Sequence, residues 1–232
     1  MKVENRYLDG SYRDANPEWD RGDSEWKAKQ VEKILKGNAV SPQSIVEVGC
    51  GSGDILRHLR RVFPGAKLVG YDISPQAKVF WDADTQGIEF YLEDFHQHNI
   101  TKHEILLMLD VFEHVRDPYS FLEQSRDHAK LFVFHIPLDL SALSVARVAP
   151  LRLARRKVGH LHSYTKDLAI ETIIDCGYSV IDFAYTKKYL SRSSFTFRGC
   201  LAFIPRFLLS VINKDFSVRI LGGESLIVLA KG

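Results

Sequence analysis

The feature that most constrains the fold is a glycine-rich turn between an apolar run and a helical pattern. The run Ile45–Val48 has the composition of a buried strand, and Gly49, Gly51 and Gly53 follow it. The next residues repeat apolar side chains at helical spacing until Pro64-Gly65. A strand, glycine turn and helix in this order bring the backbone close to a ligand bound at the helix N-terminus.

Beyond this turn, short β-rich runs alternate with segments of helical period. Further strands are predicted at Lys67–Tyr71, Ile88–Leu92, Ile105–Leu109, Leu131–Ile136, Tyr178–Tyr185 and Leu226–Ala230. Helices are predicted after Ser74, Asp117 and Thr165. The last of them has a predicted apolar face of Leu168, Ile170, Ile173 and Ile174. This alternation predicts an α/β fold, a doubly wound, Rossmann-like sheet with helices on both faces.

Composition favours a single globular domain over residues 1–232. Hydrophobic residues make up 45% and charged residues 26% of the chain, which excludes a disordered or collagen-like protein. The net charge of +2 argues against a nucleic-acid partner. Cys50, Cys176 and Cys200 form no CxxC pair, and the sequence shows neither a secretion leader nor a membrane-length apolar run. We therefore expect a cytoplasmic protein.

Three segments lie outside the alternation. Residues 1–40 hold several aromatic side chains and then a helix with Val31, Ile34 and Leu35 inward, which predicts an N-terminal helical cover. Residues 138–163 and 190–222 mix apolar residues with arginines, as insertions beside a site often do. We predict that both insertions are lids.

Acidic side chains surround the glycine turn and decide which ligand it favours. The dinucleotide fingerprint G-x-G-x-x-G would place its third glycine one residue later, and Glu47 and Asp54 would oppose a diphosphate. Asp72, Asp94 and Asp110 follow three further strands, at the edge where open α/β sheets bind ligands. A cationic ligand is therefore favoured over the NAD of a nicotinamide-dependent oxidoreductase, which is the less favoured enzyme class.

These residues resemble the motifs of the class I S-adenosylmethionine-dependent methyltransferases. The likeness covers residues 47–53, 71–74, 93–95 and 109–115, and it extends over 44–186 and the final strand. The resemblance implies a seven-stranded sheet with an antiparallel last strand, S-adenosylmethionine as cofactor and S-adenosylhomocysteine as product. It implies that the glycine loop contacts the methionine part, that Asp72 holds the ribose hydroxyls, and that Asp94 and Phe95 contact adenine. The implied cofactor-binding residues are Glu47, Gly49, Cys50, Gly51, Gly53, Asp72, Ile73, Asp94, Phe95 and Leu109.

The residues after the fourth strand narrow the acceptor. Family members that methylate base amines resemble one another in an Asp/Asn-Pro-Pro-aromatic sequence there, whereas this chain has Asp110-Val111-Phe112. Family members that methylate C5 of cytosine need a nucleophilic cysteine after a proline, and no proline of this chain precedes a cysteine. Methylation of bases is therefore disfavoured. The segment Glu113-His114-Val115 is similar to the small-molecule branch of the family. The predicted function is methyl transfer to a small-molecule acceptor, preferably at oxygen; the alternative is a non-catalytic module that binds an adenosyl ligand.

Three histidines are the catalytic candidates, because each is expected near the rim of the site and an imidazole can deprotonate a hydroxyl. They are His114, His160 and His162. Asp110, Glu113 and His114 also have D-x-x-E-H spacing, which a further histidine would complete as a set of metal ligands. Methyltransferases that resemble this arrangement have E-x-x-E-H. Here the first residue is an aspartate, whose side chain is shorter than that of glutamate, so no metal is predicted.

Two segments bear on how the acceptor arrives. A basic stretch beside the histidines is either a solvated lid face or a surface that recognises an anionic group or membrane. It consists of Arg147, Arg152, Arg155, Arg156 and Lys157. The apolar segment 195–212 is expected to pack in the core or lid; exposure of both segments together would indicate a lipid-linked acceptor and peripheral membrane contact. Trp19, Trp26 and Lys27 are candidates to close the cofactor pocket.

Overall fold

A twisted sheet of seven strands organises the protein. The structure is a computed structural model that describes residues 5–17, 19, 21–81, 85–98, 101–186 and 209–232. The strands are β1 Ser44–Val48, β2 Lys67–Asp72, β3 Glu89–Leu92, β4 His103–Leu109, β5 Ala129–Pro137, β6 Ser179–Thr186 and β7 Ser225–Lys231. Their order in the sheet is β3-β2-β1-β4-β5-β7-β6, and only β7 pairs antiparallel, with both β5 and β6. The predicted fold class is therefore confirmed, including the antiparallel last strand.

Helices cover both faces of this sheet. In the described part of the chain they are α1 Asn5–Leu8, α2 Ser11–Ala15, α3 Arg21–Gly37, α4 Asp54–Val62, α5 Phe95–His98, α6 Pro118–Ser125, α7 Ala142–Arg147, α8 Ala149–Leu153, α9 Lys166–Asp175 and α10 Lys214–Leu221. A π-helical turn, Ala154–Val158, continues α8. Short 3-10 turns stand at Lys78–Phe80, Phe112–His114 and Arg126–His128. None of these helices combines the length and hydropathy that a membrane span requires.

The core lies in two layers, because buried strands present apolar side chains to both faces of a parallel sheet. One layer includes Leu106, Phe132 and Val228, and the other includes Leu56, Leu107 and Leu229. The N-terminal helix α3 joins the second layer through Val31, Ile34 and Leu35, the face that the sequence predicts. Because β1 to β5 run parallel, the strand ends that carry acids meet at one edge of the sheet, under the N-terminal segment.

Two predicted helical features differ in the structure. Among the described residues between Ser74 and β3, the 3-10 turn Lys78–Phe80 replaces the predicted helix, and the Ser74 hydroxyl donates to the carbonyl of Tyr7 at 2.7 Å. The predicted apolar face of α9 is wrong in part. Leu168 and Ile174 are 53% and 44% exposed, whereas the short side chains Ala169 and Thr172 are buried beside Ile173.

The two predicted lids follow strands at the edge of the sheet where the acids lie. Residues 138–163 form α7, α8 and the π-helical turn after β5. Of the second segment, residues 190–208 lie outside the described residues, and the rest contains α10. An ion pair of 3.0 Å between Lys166 and Asp215 ties α10 to the start of α9.

Candidate active site

A cavity of about 540 Å³ opens at the carboxyl edge of the strands, between the glycine loop and the N-terminal helices. Open α/β sheets bind ligands at this edge. Most of the site residues expected from the sequence line the cavity, namely Glu47, Gly49, Cys50, Gly51, Asp72, Ile73, Asp94, Phe95, Leu109, His114 and His160. Gly53 and His162 are not among the lining residues.

The glycine loop adopts backbone angles that L-residues rarely use. Gly49 and Gly51 have φ of 72° and 52°, and a Cβ on Gly49 would meet Val111 at 3.0 Å. The amides of Gly49 and Cys50 donate to the Tyr71 carbonyl at 2.8 and 3.0 Å, which fixes the loop against β2. Side chains are therefore excluded where the backbone borders the cavity.

Gly53 is needed for packing, and the ligand contact expected of it stays a prediction. Its φ is 76°, and a Cβ there would lie 2.6 Å from the ring of Phe90. The neighbouring Asp54 forms ion pairs with Arg21 at 2.6 Å and Arg57 at 3.0 Å. This end of the loop is occupied by the protein's own side chains.

Asp72, at the end of β2, presents two carboxylate oxygens to the cavity. One accepts from the amide of Gly51 and the other from the amide of Ser74, each at 2.8 Å. Burial raises the pKa of Asp72, and these amides oppose the rise. Each oxygen keeps a second lone pair, so the carboxylate can accept from two vicinal hydroxyls.

Asp94 and Phe95 lie beyond β3, on the same wall. Asp94 accepts from the amide of His96 at 3.0 Å, which orients its carboxylate at the start of α5. The Phe95 ring is 2% exposed and contacts Tyr71 edge to face at 5.3 Å between centroids. Together these side chains form a partly apolar wall with an acceptor at its rim, which suits a flat heteroaromatic ring.

Glu47 is the most unusual acid of the site. Its side chain is 1% exposed, and Oε2 accepts no hydrogen bond from any described residue. Burial raises the pKa of Glu47 well above 4.5, while the nearby Lys27 lowers it. A buried carboxyl without a partner is costly unless a ligand supplies a donor or a positive charge.

Asp110 lines the cavity and is held there by a network of side chains. Its carboxylate contacts Lys27 Nζ at 2.8 Å and His135 Nδ1 at 2.5 Å, and His135 Nε2 lies 3.0 Å from the Thr186 hydroxyl. Lys27 therefore borders the cavity and pairs with an acid, whereas Trp26 packs on His135 at 5.6 Å and is not among the lining residues. Among the described residues, Asp110 does not belong to the group whose ligand atoms lie close enough together to hold a metal ion.

Tyr7, His114 and His160 also line the cavity, and the fully buried Glu113 precedes His114. Both oxygens of Glu113, Nδ1 of His114 and the Tyr7 hydroxyl are buried and make no hydrogen bond with described residues. Burial raises the pKa of Glu113 and lowers the pKa of His114 to about 3, so burial favours the neutral form of each side chain. His160 differs because its Nδ1 lies 2.5 Å from Oδ2 of Asp139.

Two further observations bear on the histidines. Glu113, His114 and His160 each offer a ligand atom within 4.8 Å of the others, so these three could hold a metal ion. His162 points elsewhere, since its Nε2 bonds the Val115 carbonyl at 3.0 Å. The structure therefore brings together two of the three catalytic candidates and separates the third.

Sequence reasoning assigned Tyr7 and Tyr12 only to the N-terminal cover, and it missed Asp139. Tyr7 and Tyr12 lie 4.9 Å apart and, with Trp19 at 5.3 Å from Tyr12, cover the glycine loop. The aromatic side chains of the first 20 residues indicate a cover, but they do not show which of them reach the cavity. Asp139 has no local signal, because its partner His160 is 21 residues away.

Comparison with known proteins agrees with this architecture. A family model described as a methyltransferase domain matches residues 21–171, more than half of the chain. The chain is 30% identical over 74 residues to a demethylmenaquinone methyltransferase of Thermotoga maritima and 50% identical over 34 residues to a malonyl-[acyl-carrier protein] O-methyltransferase of Hahella chejuensis. These matches cover 32% and 15% of this chain, and only 31% and 12% of the two relatives.

A solved structure extends the likeness of fold over nearly the whole chain. The plantazolicin methyltransferase BpumL, in complex with a monoazolic desmethylPZN analogue and SAH, superposes with a TM-score of 0.58 at 16% identity. The superposition covers 98% of this chain and 90% of that chain.

The strand order, the glycine loop and the acidic strand ends define a class I methyltransferase fold. The chain belongs to the methyltransferase domain family, whose cofactor is S-adenosylmethionine. The residues present fit this cofactor. Glu47 has a buried oxygen that makes no hydrogen bond with described residues and could accept one from an ammonium group. Asp72 has two oxygens that could accept from ribose hydroxyls.

Proposed function

We propose that this enzyme methylates a hydroxyl oxygen of a small-molecule acceptor, with His160 as the general base. The observation that carries the proposal is the contact of 2.5 Å between His160 Nδ1 and Asp139 at the cavity wall. A carboxylate on one imidazole nitrogen places the proton there and leaves the other nitrogen free to accept one. A hydroxyl acceptor needs such a base, because its oxygen must lose a proton as it gains a methyl group.

The proposed roles divide the cavity into a cofactor end and an acceptor end. When bound, S-adenosylmethionine supplies a methyl group attached to a positively charged sulfur. Glu47 would hold its ammonium group, and Asp72 would hold its ribose. The glycine loop excludes side chains from this end, and Tyr12 and Trp19 shield it from water.

At the acceptor end, His160 Nε2 takes the hydroxyl proton and Asp139 stabilises the imidazolium that forms. The Tyr7 hydroxyl and His114 Nδ1 are available to hydrogen-bond the acceptor, because neither has a partner among described residues. Burial favours the neutral forms of Glu113 and His114, which limits the charge beside the acceptor. The chain's contribution is mainly to position the acceptor and to remove its proton.

A small molecule fits the cavity volume, which lies within the usual range for ligand pockets. The near-balanced charge again argues against a nucleic-acid acceptor. Cys50 and Cys176 are buried and unpaired, which supports a reducing, cytoplasmic compartment. The family assignment removes the reason to propose an NAD-dependent oxidoreductase.

Transfer assays that quantify S-adenosylhomocysteine test this proposal. The acceptor panel contains phenols, sugars and lipid carriers, with amines and carboxylic acids as comparators. His160→Gln should lower kcat on the hydroxyl acceptor by on the order of 100-fold or more, flatten the pH profile and leave cofactor affinity unchanged. His58→Gln, on α4 and outside the cavity lining, is the matched control.

Two results would contradict the proposal. His160→Gln could retain activity within about twofold of the wild type, which would remove the base from its role. Alternatively, the protein could bind S-adenosylmethionine and form no S-adenosylhomocysteine with any acceptor class, which is the behaviour of a non-catalytic binding module.

A further inference from the structure

The segment between β5 and α9 carries an outward basic face at the mouth of the cavity. Leu151, Ala154 and Val158 are half-buried at helical spacing, so they form the inner face of α8 and the π-helical turn. All five basic residues of the segment are exposed: Arg147, Arg152, Arg155, Arg156 and Lys157. No acidic residue occurs between Asp139 and Asp167. Within the described ranges, none of the five basic residues forms an ion pair.

This basic face is anchored directly beside the active site. Arg6 donates to the carbonyls of Arg156 and Lys157, each at 3.2 Å, and so ties the segment to the N-terminal cover. Val158 and His160, which directly follow the exposed cations, line the cavity. Anything that binds the basic face therefore lies next to the acceptor end.

Large apolar side chains are exposed among and beside these cations. Within the segment, Val145, Val148 and Leu153 are 55%, 51% and 62% exposed. Val148 also has a φ of 56°, an unusual backbone conformation for a β-branched residue, at the junction of α7 and α8. Exposed apolar side chains of this size, grouped beside cations, are typical of an interaction surface.

A second group of apolar side chains lies at the same edge of the sheet. Val211, Ile212 and Phe216 are 71%, 81% and 53% exposed, before and within α10. α10 packs against α7, and its Asp215 bonds the hydroxyl of Tyr185 near the carboxyl end of β6. Exposed apolar residues from two packed segments thus share the edge at which the cavity opens.

We infer that this edge, built from the basic face of residues 147–157 and the exposed apolar residues of α7, α8 and α10, docks on an anionic membrane surface. The cations match the negative headgroups, and the apolar side chains suit insertion at the boundary of the acyl chains. A soluble polyanion or an acidic protein would use the cations but would leave Ile212 and Leu153 in water. That the acceptor is delivered from the lipid phase rests on the proposed function, whereas the membrane contact itself does not.

Cosedimentation of the full chain with lipid vesicles tests the inference. The vesicles contain either phosphatidylglycerol with phosphatidylcholine or phosphatidylcholine alone, at low and physiological salt. The wild type should bind the anionic vesicles in a salt-dependent way and should not bind the neutral ones. Arg155→Ala/Arg156→Ala should lower the partition coefficient by about 30-fold, since each basic residue near an anionic surface contributes roughly fivefold. Ile212→Ser should lower it by about tenfold or more.

Matched controls lie at the opposite edge of the sheet. Arg61→Ala/Lys130→Ala removes the same charge from the end of α4 and the start of β5, and Ile174→Ser removes an exposed isoleucine from the end of α9. Both controls should bind vesicles within about twofold of the wild type. Thermal melting and S-adenosylmethionine affinity confirm that each variant is folded.

The inference is overturned by any of three results. These are no binding to anionic vesicles at low salt, equal losses in the control variants, or binding to heparin and anionic vesicles that Ile212→Ser leaves unchanged. The last result would indicate a soluble polyanion or acidic protein. Methyl transfer to a water-soluble acceptor without vesicle binding would refute this inference alone, and vesicle binding without methyl transfer to any acceptor would refute only the proposed function.

Discussion

Replacing Glu47 with glutamine should weaken cofactor binding and stabilise the free protein. Cofactor binding favours the ionised carboxylate of Glu47, whereas folding of the free protein favours its neutral form. The side chain is 1% exposed and Oε2 accepts no hydrogen bond, so the free protein leaves an acceptor unsatisfied. Glu47→Gln keeps the shape and removes the charge. A hydrogen bond to a charged group contributes about 1.5–3 kcal/mol, so S-adenosylmethionine should bind roughly 10- to 150-fold more weakly.

Stability should change in the other direction. Burial raises the pKa of Glu47 well above 4.5, so its folded pKa exceeds its unfolded pKa. The stability that this neutral carboxyl contributes is fully present below the unfolded pKa and is lost as the pH rises through the folded pKa. Glutamine stays neutral at every pH. Glu47→Gln should therefore melt at a higher temperature than the wild type in alkaline buffer, and the difference should vanish in acidic buffer.

Calorimetric titration with S-adenosylmethionine and thermal melts of the free protein across the pH range measure both effects. Glu171→Gln, at an exposed position of α9, is the control and should change neither quantity. The reasoning would be refuted if Glu47→Gln bound the cofactor like the wild type, or if it melted below the wild type in alkaline buffer.

Three further predictions concern the glycine loop, the ribose acid and the possible metal ligands. Asp72→Ala should weaken S-adenosylmethionine binding by at least about tenfold in calorimetry, and unchanged affinity in the folded variant would show that the ribose is held elsewhere. Gly53→Ala should lower the free energy of unfolding in urea by about 1–3 kcal/mol, because Gly53 has a positive φ and lies close to the Phe90 ring. Cofactor affinity should stay within about twofold of the wild type. A larger loss of affinity would show that Gly53 contacts the cofactor. Excess chelator should leave turnover unchanged, since His160 supplies the base; loss of turnover that Mn²⁺ restores would instead assign Glu113, His114 and His160 to a metal ion.

The sequence predicts the sheet well because buried parallel strands are recognisable as short apolar runs. The run Ile105–Leu109 lies within β4, and the glycine turn after β1 stands at the cavity. Helix faces are harder to predict. Hydrophobicity selects Leu168 and Ile174 on α9, whereas the structure buries Ala169 and Thr172, since the packing distance of a helix favours short side chains at the contact.

The polar contacts of the acceptor end are also difficult to predict from the sequence. His160 and His162 are equivalent in sequence, two residues apart, and only the fold separates them. Asp139 comes within 2.5 Å of His160, while the Val115 carbonyl bonds His162. D-x-x-E-H spacing likewise groups Asp110 with Glu113, but Lys27 from α3 holds Asp110 at 2.8 Å. Contacts between distant segments decide these roles, and a single sequence carries no periodic signal for them.

The central claim is that the cavity at the carboxyl edge of the sheet binds S-adenosylmethionine as methyl donor. Calorimetric titration of the purified protein with S-adenosylmethionine, S-adenosylhomocysteine and NAD tests it most directly. Binding of both adenosyl sulfur compounds, with no heat from NAD, is the result predicted by the acidic cavity around Glu47 and Asp72. Folded protein that binds neither adenosyl compound, or that binds NAD alone, would contradict the claim.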